Sequence, residues 1–358
     1  MTASNREREH EDVYGKSFAL YDREQMTQFT GFFEKRLLAN GLDGESLFKG
    51  KRCLDAGCGN GRGSLLMLKN GAAHVTALDI SQENLRSVDR NLKSFGYSNF
   101  ECRQTSLEKI AIPDQCFDFV WCNGVLMHTA EPDACLQEIA RVLKVGGRSW
   151  IYVYGSNGLY WYLINRFRMW FREFDPQRLL DCLQMMSVEV RYIGEYMDDW
   201  KVPYLRSYTD LDFSTRLREV GFGDVARLWR GVSYDTSERL MRFPNDRPWL
   251  GEGDLRYLLT KTGVAGSADG QPLSSDEHGS KPNFDRLILE KLDAPLTDLE
   301  AAIGSNVILA ALLASNLQRR LRDMMSEECP LDVASFLNFV RSNCEAAKIL
   351  TAAGSRGR

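Results

Sequence analysis

Residues 51–64 read KRCLDAGCGNGRGS: a short apolar run closing on Asp55, then glycines at 57, 59, 61 and 63, then the start of a helical pattern. Glycines in this place let the backbone turn tightly and bring N–H groups close to a ligand at the start of a helix. The dinucleotide spacing G-x-G-x-x-G fails, because the sixth position counted from Gly57 is Arg62. Asp55 at the strand end also repels a pyrophosphate. It suits a loop that surrounds a ligand carrying ammonium and sulfonium charge.

Working outward, His74–Asp79 is a second strand that also ends on an acid, 22 residues after Gly57. A carboxylate there accepts hydrogen bonds from both hydroxyls of a ribose. Ser81 to Phe95 has a helical pattern, Asn99–Arg103 a short strand, and FDFVWC at 117–122 an apolar run suited to a strand buried on both faces. Leu136, Ile139, Ala140 and Leu143 mark a helix face that Gly146 and Gly147 are expected to stop, before a strand at Ser149–Tyr154. Upstream, Met26, Phe29, Phe33 and Leu37 step by three and four along a helix from Arg23 to near Gly41. The alternation predicts an α/β fold: a Rossmann-like, doubly wound, mostly parallel seven-stranded sheet with helices on both faces.

The rhythm breaks at 156–208, an insertion rich in Tyr, Trp, Phe and Arg with a helix candidate at 158–171. It resumes with a helix from Thr209, a strand at Asp224–Trp229 and a last strand around Tyr257–Thr260. Residues 265–282 have linker composition. Residues 283–358 read as a helical extension: Thr297 and Glu300 form a capping box, Leu313, Leu317 and Leu321 share one face, and Val333, Phe336, Leu337, Val340 and Cys344 form another stripe. The expected division is an N-terminal helical lid (1–47), a sheet domain (48–264) carrying the insertion, the linker (265–282) and the extension (283–358). Self-association through the extension, or capping of the site by it, are its two readings.

Composition narrows the classes. With 44% hydrophobic and 26% charged residues the chain is an ordinary globular protein of 358 residues, about twice an average domain. A net charge of −4 without a basic run disfavours nucleic acid as a partner. No secretory signal opens the sequence, and VILAALLA from Val307 falls far short of the roughly 20 residues that span a bilayer. Nine cysteines without a CxxC pair suggest reduced thiols in a cytoplasm, and four histidines without HxxxH spacing make a zinc site unexpected.

LDAGCGNGRGS (Leu54–Ser64), Asp79 and FDFVWCNGVLMHTAEPDACLQEIARVLKVGG (Phe117–Gly147) together resemble the class I S-adenosylmethionine-dependent methyltransferases, nearest to the ubiquinone/menaquinone C-methyltransferase-like, small-molecule branch. The resemblance covers 50–155 well and about 209–263 loosely. It implies S-adenosylmethionine as cofactor. Gly57, Gly59 and Gly61 would line its methionine part, with Cys58 alongside and Asp55 anchoring the loop. Asp79 would take the ribose and Ile80 pack beside the adenine. Where the family often has an Asp for the adenine amino group this chain has Ser106, leaving that contact to Ser106 or the backbone at Leu107. Asn123 would begin the loop next to the methyl donor, with His128 further along it.

On the acceptor side, His128 is the best general base, because histidine titrates near neutrality, although it also reads as a residue that only shapes the pocket. Tyr14 and Tyr21 flank the first helix, where related enzymes fold a lid. The insertion is expected to wall the acceptor pocket, with Tyr160, Asp199 and Tyr204 orienting the substrate; Glu195, Asp198 and Asp199 beside aromatics suggest either a cation site or a solvated loop. The expected activity is methyl transfer to a small molecule, most readily at oxygen, with nitrogen or carbon as the other acceptor atoms. Methylation of a protein, RNA or lipid head group, or an inactive cofactor-binding scaffold, are the alternatives. The lack of an Asn/Asp-Pro-Pro-Tyr/Phe motif argues against base amino-methylation.

Overall fold

Seven strands form one sheet in the order β3-β2-β1-β4-β5-β7-β6. They are β1 (Arg52–Ala56), β2 (His74–Asp79), β3 (Phe100–Gln104), β4 (Phe117–Asn123), β5 (Leu143–Tyr154), β6 (Phe222–Arg227) and β7 (Asp254–Lys261). The first five in sheet order run parallel, and β7 runs antiparallel to both neighbours. This is the expected Rossmann-like sheet. The computed structural model describes residues 13–15, 18, 20–263, 286–304, 306–326 and 332–355. The linker expected at 265–282 lies outside them. No helix among the described residues is long and apolar enough to cross a membrane.

The helices of eight residues or more are α1 (Arg23–Ala39), α2 (Arg62–Lys69), α3 (Gln82–Ser94), α4 (Pro132–Val142), α5 (Gly158–Phe171), α6 (Pro176–Met185), α7 (Val190–Lys201), α8 (Asp210–Glu219), α9 (Arg286–Ile303), α10 (Val307–Ser326) and α11 (Val333–Ser355). Helix α1 starts where Asp22 and Gln25 cap each other reciprocally, and it buries the expected stripe Met26, Phe29, Phe33 and Leu37. With α2 and α3 it covers one sheet face, against Trp121 and Trp150, whose rings stack 4.7 Å apart. Helices α4 and α8 cover the other face.

Two local expectations are corrected. Helix α4 ends at Val142, not at the glycines: Gly146 and Gly147 lie inside β5, where the register against β4 shifts and Gly146 takes a φ of +78°. The pair makes a bulge that lengthens the strand. Thr297 does not cap a helix start either. Helix α9 runs straight through it, and its hydroxyl donates back to the Asp293 carbonyl.

The third core joins the insertion to the extension. Phe167 and Phe171 of α5 and Trp200 of α7 pack in one cluster with Leu296 and Leu299 of α9, Leu317 and Leu321 of α10, and Phe336 and Val340 of α11. Phe171 and Trp200 stack 4.9 Å apart. The stripes on the C-terminal helices therefore face the insertion's aromatics. Polar links follow the same seam: Arg166 reaches Glu300 at 3.0 Å, the Trp170 indole donates to Glu300, and the buried Trp200 indole donates to the Gln318 amide oxygen at 2.7 Å.

Candidate active site

Strands β1 and β4 are neighbours whose following segments leave to opposite sides, which opens a crevice at their carboxyl ends, where doubly wound sheets bind ligands. A cavity of about 410 Å³ begins there, lined by Asp55, Gly57, Cys58, Gly59, Asp79 and Asn123, and runs under the insertion to Tyr160, Asp199 and Arg322.

The glycine loop works differently from the sequence-based expectation. Gly57 and Cys58 donate their amides to the Leu78 carbonyl, Gly59 donates to Asp79, and Gly61 donates to the Cys58 carbonyl. These amides bind protein, and the bare Cα atoms at positions 57 and 59 let neighbouring side chains pack directly on the loop. An added Cβ would lie 2.5 Å from Val125 at position 57 and 2.8 Å from the Phe18 ring at position 59, and both φ angles are positive. Phe18 closes over the loop, with the Arg62 guanidinium 5.3 Å from its ring.

Asp55 is 2% exposed and accepts the Ser64 hydroxyl at 2.7 Å, tying the end of β1 to the first turn of α2. Burial pushes its carboxyl up to about 6, against the pull of the Ser64 hydroxyl and amide. Asp79 accepts from the amides of Gly59 and Ser81, each at 2.9 Å, and from the Asn84 side-chain amide at 3.1 Å. It is thus the clamp between the glycine loop and α3, whose own cap is Ser81. Asn84, for which the sequence offered no signal, lines the cavity beside Asp79 with its amide oxygen buried and without a partner among the described residues. Asn123 accepts from the Trp150 indole.

Cys58 is buried against the loop, and desolvation, together with Asp79, pushes its thiol well up, which suits packing rather than nucleophilic chemistry. Ile80, Ser106 and Leu107 are not among the cavity's lining residues. Ile80 offers its carbonyl to Gln104, the Ser106 hydroxyl accepts from the Glu108 amide, and Leu107 is buried in the core under α4.

The second half of the cavity is a polar cluster inside aromatic walls. His128 is 3% exposed; its Nδ1 lies 3.0 Å from the Tyr204 carbonyl, and its Nε2 lies 3.3 Å from Asp198 Oδ1 without a hydrogen bond. A carbonyl only accepts, so Nδ1 carries the proton and Nε2 is the basic atom. Tyr14 and Tyr154 both donate hydroxyls to Asp198. Tyr160 donates to Asp199 at 2.9 Å, and Gln318 donates to Asp199 at 2.6 Å. Burial, and then the neighbouring Asp198, push the Asp199 carboxyl up to about 7, with Tyr160 and Gln318 pulling the other way. Burial also holds the hydroxyls of Tyr14, Tyr154 and Tyr160 protonated.

Of the expected acceptor residues, the structure brings Tyr14, Tyr160 and Asp199 together with His128. Tyr204 is a correction: it serves His128 through its backbone, and its ring faces Arg206 rather than the cavity. Tyr154, Gln318 and Arg322 were missed. Tyr154 had one available signal, its place at the carboxyl end of a strand; Gln318 and Arg322 had none, because they arrive on α10 from more than a hundred residues away. The far wall is closed by ion pairs: Arg36 grips Asp235 at 2.7 and 2.8 Å, and Arg256 bridges Asp235 and Asp254. Despite burial, Arg256 and Arg36 hold the Asp235 carboxyl down to about 2.

Comparison with known proteins places residues 54–151 in a match to the family described as "Methyltransferase domain". A ubiquinone biosynthesis O-methyltransferase from Paracidovorax citrulli is 32% identical over 112 residues, 31% of this chain and 46% of that protein. One from Neisseria meningitidis serogroup C is 27% identical over 194 residues, 54% of this chain and 71% of that protein. The chain spans about half the length of the first of these relatives. Among solved structures, a SAM-dependent methyltransferase from Aquifex aeolicus superposes with a TM-score of 0.38 at 17% identity, covering 67% of this chain and 99% of that one.

Proposed function

We propose that this chain, which carries a methyltransferase domain over residues 54–151, transfers a methyl group from S-adenosylmethionine to an oxygen of a small-molecule acceptor. The observation that carries this reading is the continuity of the cavity. It joins the Asp55–glycine loop–Asp79 half to a buried histidine whose basic nitrogen has no hydrogen-bond partner among the described residues. The relatives are named as O-methyltransferases, which supports oxygen as the acceptor atom.

The residues present suit the donor. Asp79 would hold the ribose hydroxyls together with Asn84, whose buried amide oxygen has no partner among the described residues, and Gly57 and Gly59 line the cavity next to them. Asp55 puts a carboxyl behind the loop, and Phe18 and Tyr14 shield this part of the cavity from water. When bound, the sulfonium supplies an electrophilic methyl carbon. The protein's work is then alignment, worth up to roughly 7–11 kcal/mol of barrier, and proton removal, worth about 10²–10⁴-fold. His128 Nε2 takes the proton of the acceptor hydroxyl, Tyr204 fixes the tautomer through Nδ1, and Asp198 stabilises the imidazolium that results.

Label transfer from methyl-tritiated S-adenosylmethionine to a panel of phenols and alcohols tests this. Organic-phase label should appear with the wild type, and His128→Ala should lower its rate about a hundredfold with S-adenosylhomocysteine affinity unchanged. A variant as fast as wild type would remove His128 from the chemistry.

A further inference from the structure

Helix α7 turns Glu195, Asp198 and Asp199 toward the cavity, and the three differ in their partners. Glu195 is paired with Arg322. The hydrogen bonds received by Asp198 and Asp199 side chains, among the described residues, come from neutral groups: Tyr14 and Tyr154 for the first, Tyr160 and Gln318 for the second. Arg168, close behind, donates to the backbone carbonyls of Asp199 and Val202. Asp199 is 3% exposed, which removes the solvated-loop reading of this cluster.

His128 Nε2 adds a second observation. It is buried, has no hydrogen-bond partner among the described residues, and stands 3.3 Å from Asp198. With Nδ1 protonated, Nε2 is one more acceptor beside two carboxylates. This end of the cavity therefore concentrates acceptors and negative charge that call for a ligand rich in N–H donors. The walls are suited to a cation as well: the Tyr154 ring lies 4.8 Å from Trp161 and 5.6 Å from His128, and Tyr14 packs 5.8 Å from His128.

We infer that the acceptor is a hydroxyl-bearing small molecule that also carries a protonated amine, its ammonium seated against Asp198 and Asp199 between the rings of Tyr14, Tyr154 and Trp161. An ammonium offers three donors and a full counter-charge to carboxylates whose side-chain hydrogen bonds come from neutral groups, Arg168 acting on Asp199 through its field and the backbone carbonyl. A neutral phenol offers one donor and an aromatic carboxylate adds a third negative charge, so the site discriminates by charge. The upward displacement of the Asp199 carboxyl, to about 7, is the same deficit expressed as proton affinity. This inference rests on the methyltransferase reading and narrows its substrate.

The test uses three probes that share one phenol: tyramine, para-ethylphenol and para-hydroxyphenylacetate. Each is titrated calorimetrically into the full chain saturated with S-adenosylhomocysteine, whose own binding is recorded first. Tyramine should bind at least about tenfold more tightly than para-ethylphenol, with para-hydroxyphenylacetate weakest. Asp199→Asn and, independently, Asp198→Asn should each close most of the gap between tyramine and para-ethylphenol. Equal affinities, a preference for the anion, no tyramine binding, or an undiminished gap in both variants would overturn the inference while leaving the donor reading intact. Failure of S-adenosylhomocysteine to bind would take both down.

Discussion

Replacing Asp199 by Asn should stabilise the protein by an amount that grows from about pH 4 and levels off above about pH 7. The carboxyl sits 3% exposed, next to Asp198, and its pKa moves from an ordinary 3.8 to about 7. Because the folded-state pKa lies above the unfolded one, folding favours the protonated form. The associated stability is fully present below about pH 4 and is lost as pH rises through about 7. A shift of that size corresponds to roughly 4 kcal/mol between the two protonation states. The Asn side chain keeps an oxygen to accept from Tyr160 and Gln318, so most of that amount should be recovered, about 2–4 kcal/mol at pH 8. For a chain of this length that is a rise in Tm of roughly 3–5 °C. Melting curves of both proteins, followed by circular dichroism from pH 4.5 to 8 at constant ionic strength, should nearly coincide at the acid end and diverge as pH rises. Asp55, raised by burial to about 6, adds a loss of smaller total size to both proteins between about pH 4 and 6. Parallel curves across the whole range, or a variant less stable than wild type at pH 8, would refute the reasoning.

Two further perturbations test other parts of the account. Gly59→Ala forces a left-handed φ of +52° on a residue with a Cβ and drives that carbon against Phe18; a cost of about 1–2 kcal/mol from the backbone alone should lower Tm and weaken S-adenosylhomocysteine several-fold. Leu317→Ala opens a cavity in the core shared by the insertion and the C-terminal helices, with an expected loss of about 2–4 kcal/mol. Hydrogen exchange should then rise in α5 and α7 before it rises in β1 or β4, and a uniform rise would deny that these helices form their own core.

The sheet was legible because its signals are local. Strand β2 has the boundaries read from HVTALD, and α5 spans the 158–171 expected from its aromatic run. Asp55, the glycines and Asp79 could be found because a strand end, a turn and a helix start lie within a few residues. The acceptor half was legible only by residue type. Asp199 and Tyr160 stood out as polar groups among aromatics, but nothing local shows that Gln318 of α10 donates to Asp199, or that the Tyr204 backbone rather than its ring serves the site. Those contacts depend on how distant helices pack. Gly146 and Gly147 misled for the converse reason: glycine pairs end helices and also make bulges, and the choice is made by pairing with β4. The loop amides were expected to face a ligand, and the hydrogen bonds to β2 that occupy those of Gly57, Cys58 and Gly59 are likewise a product of how β1 and β2 pair.

The central claim is that Asp79 and the glycine loop form a donor site, and calorimetric titration of S-adenosylhomocysteine tests it most directly. The wild type should bind saturably with one site per chain. Asp79→Ala should weaken binding by tens-fold or more, since hydrogen bonds to a carboxylate are worth about 1.5–3 kcal/mol each and the Gly59 amide loses its anchor as well. No saturable binding by the wild type, or equal affinity in the variant, would contradict the account.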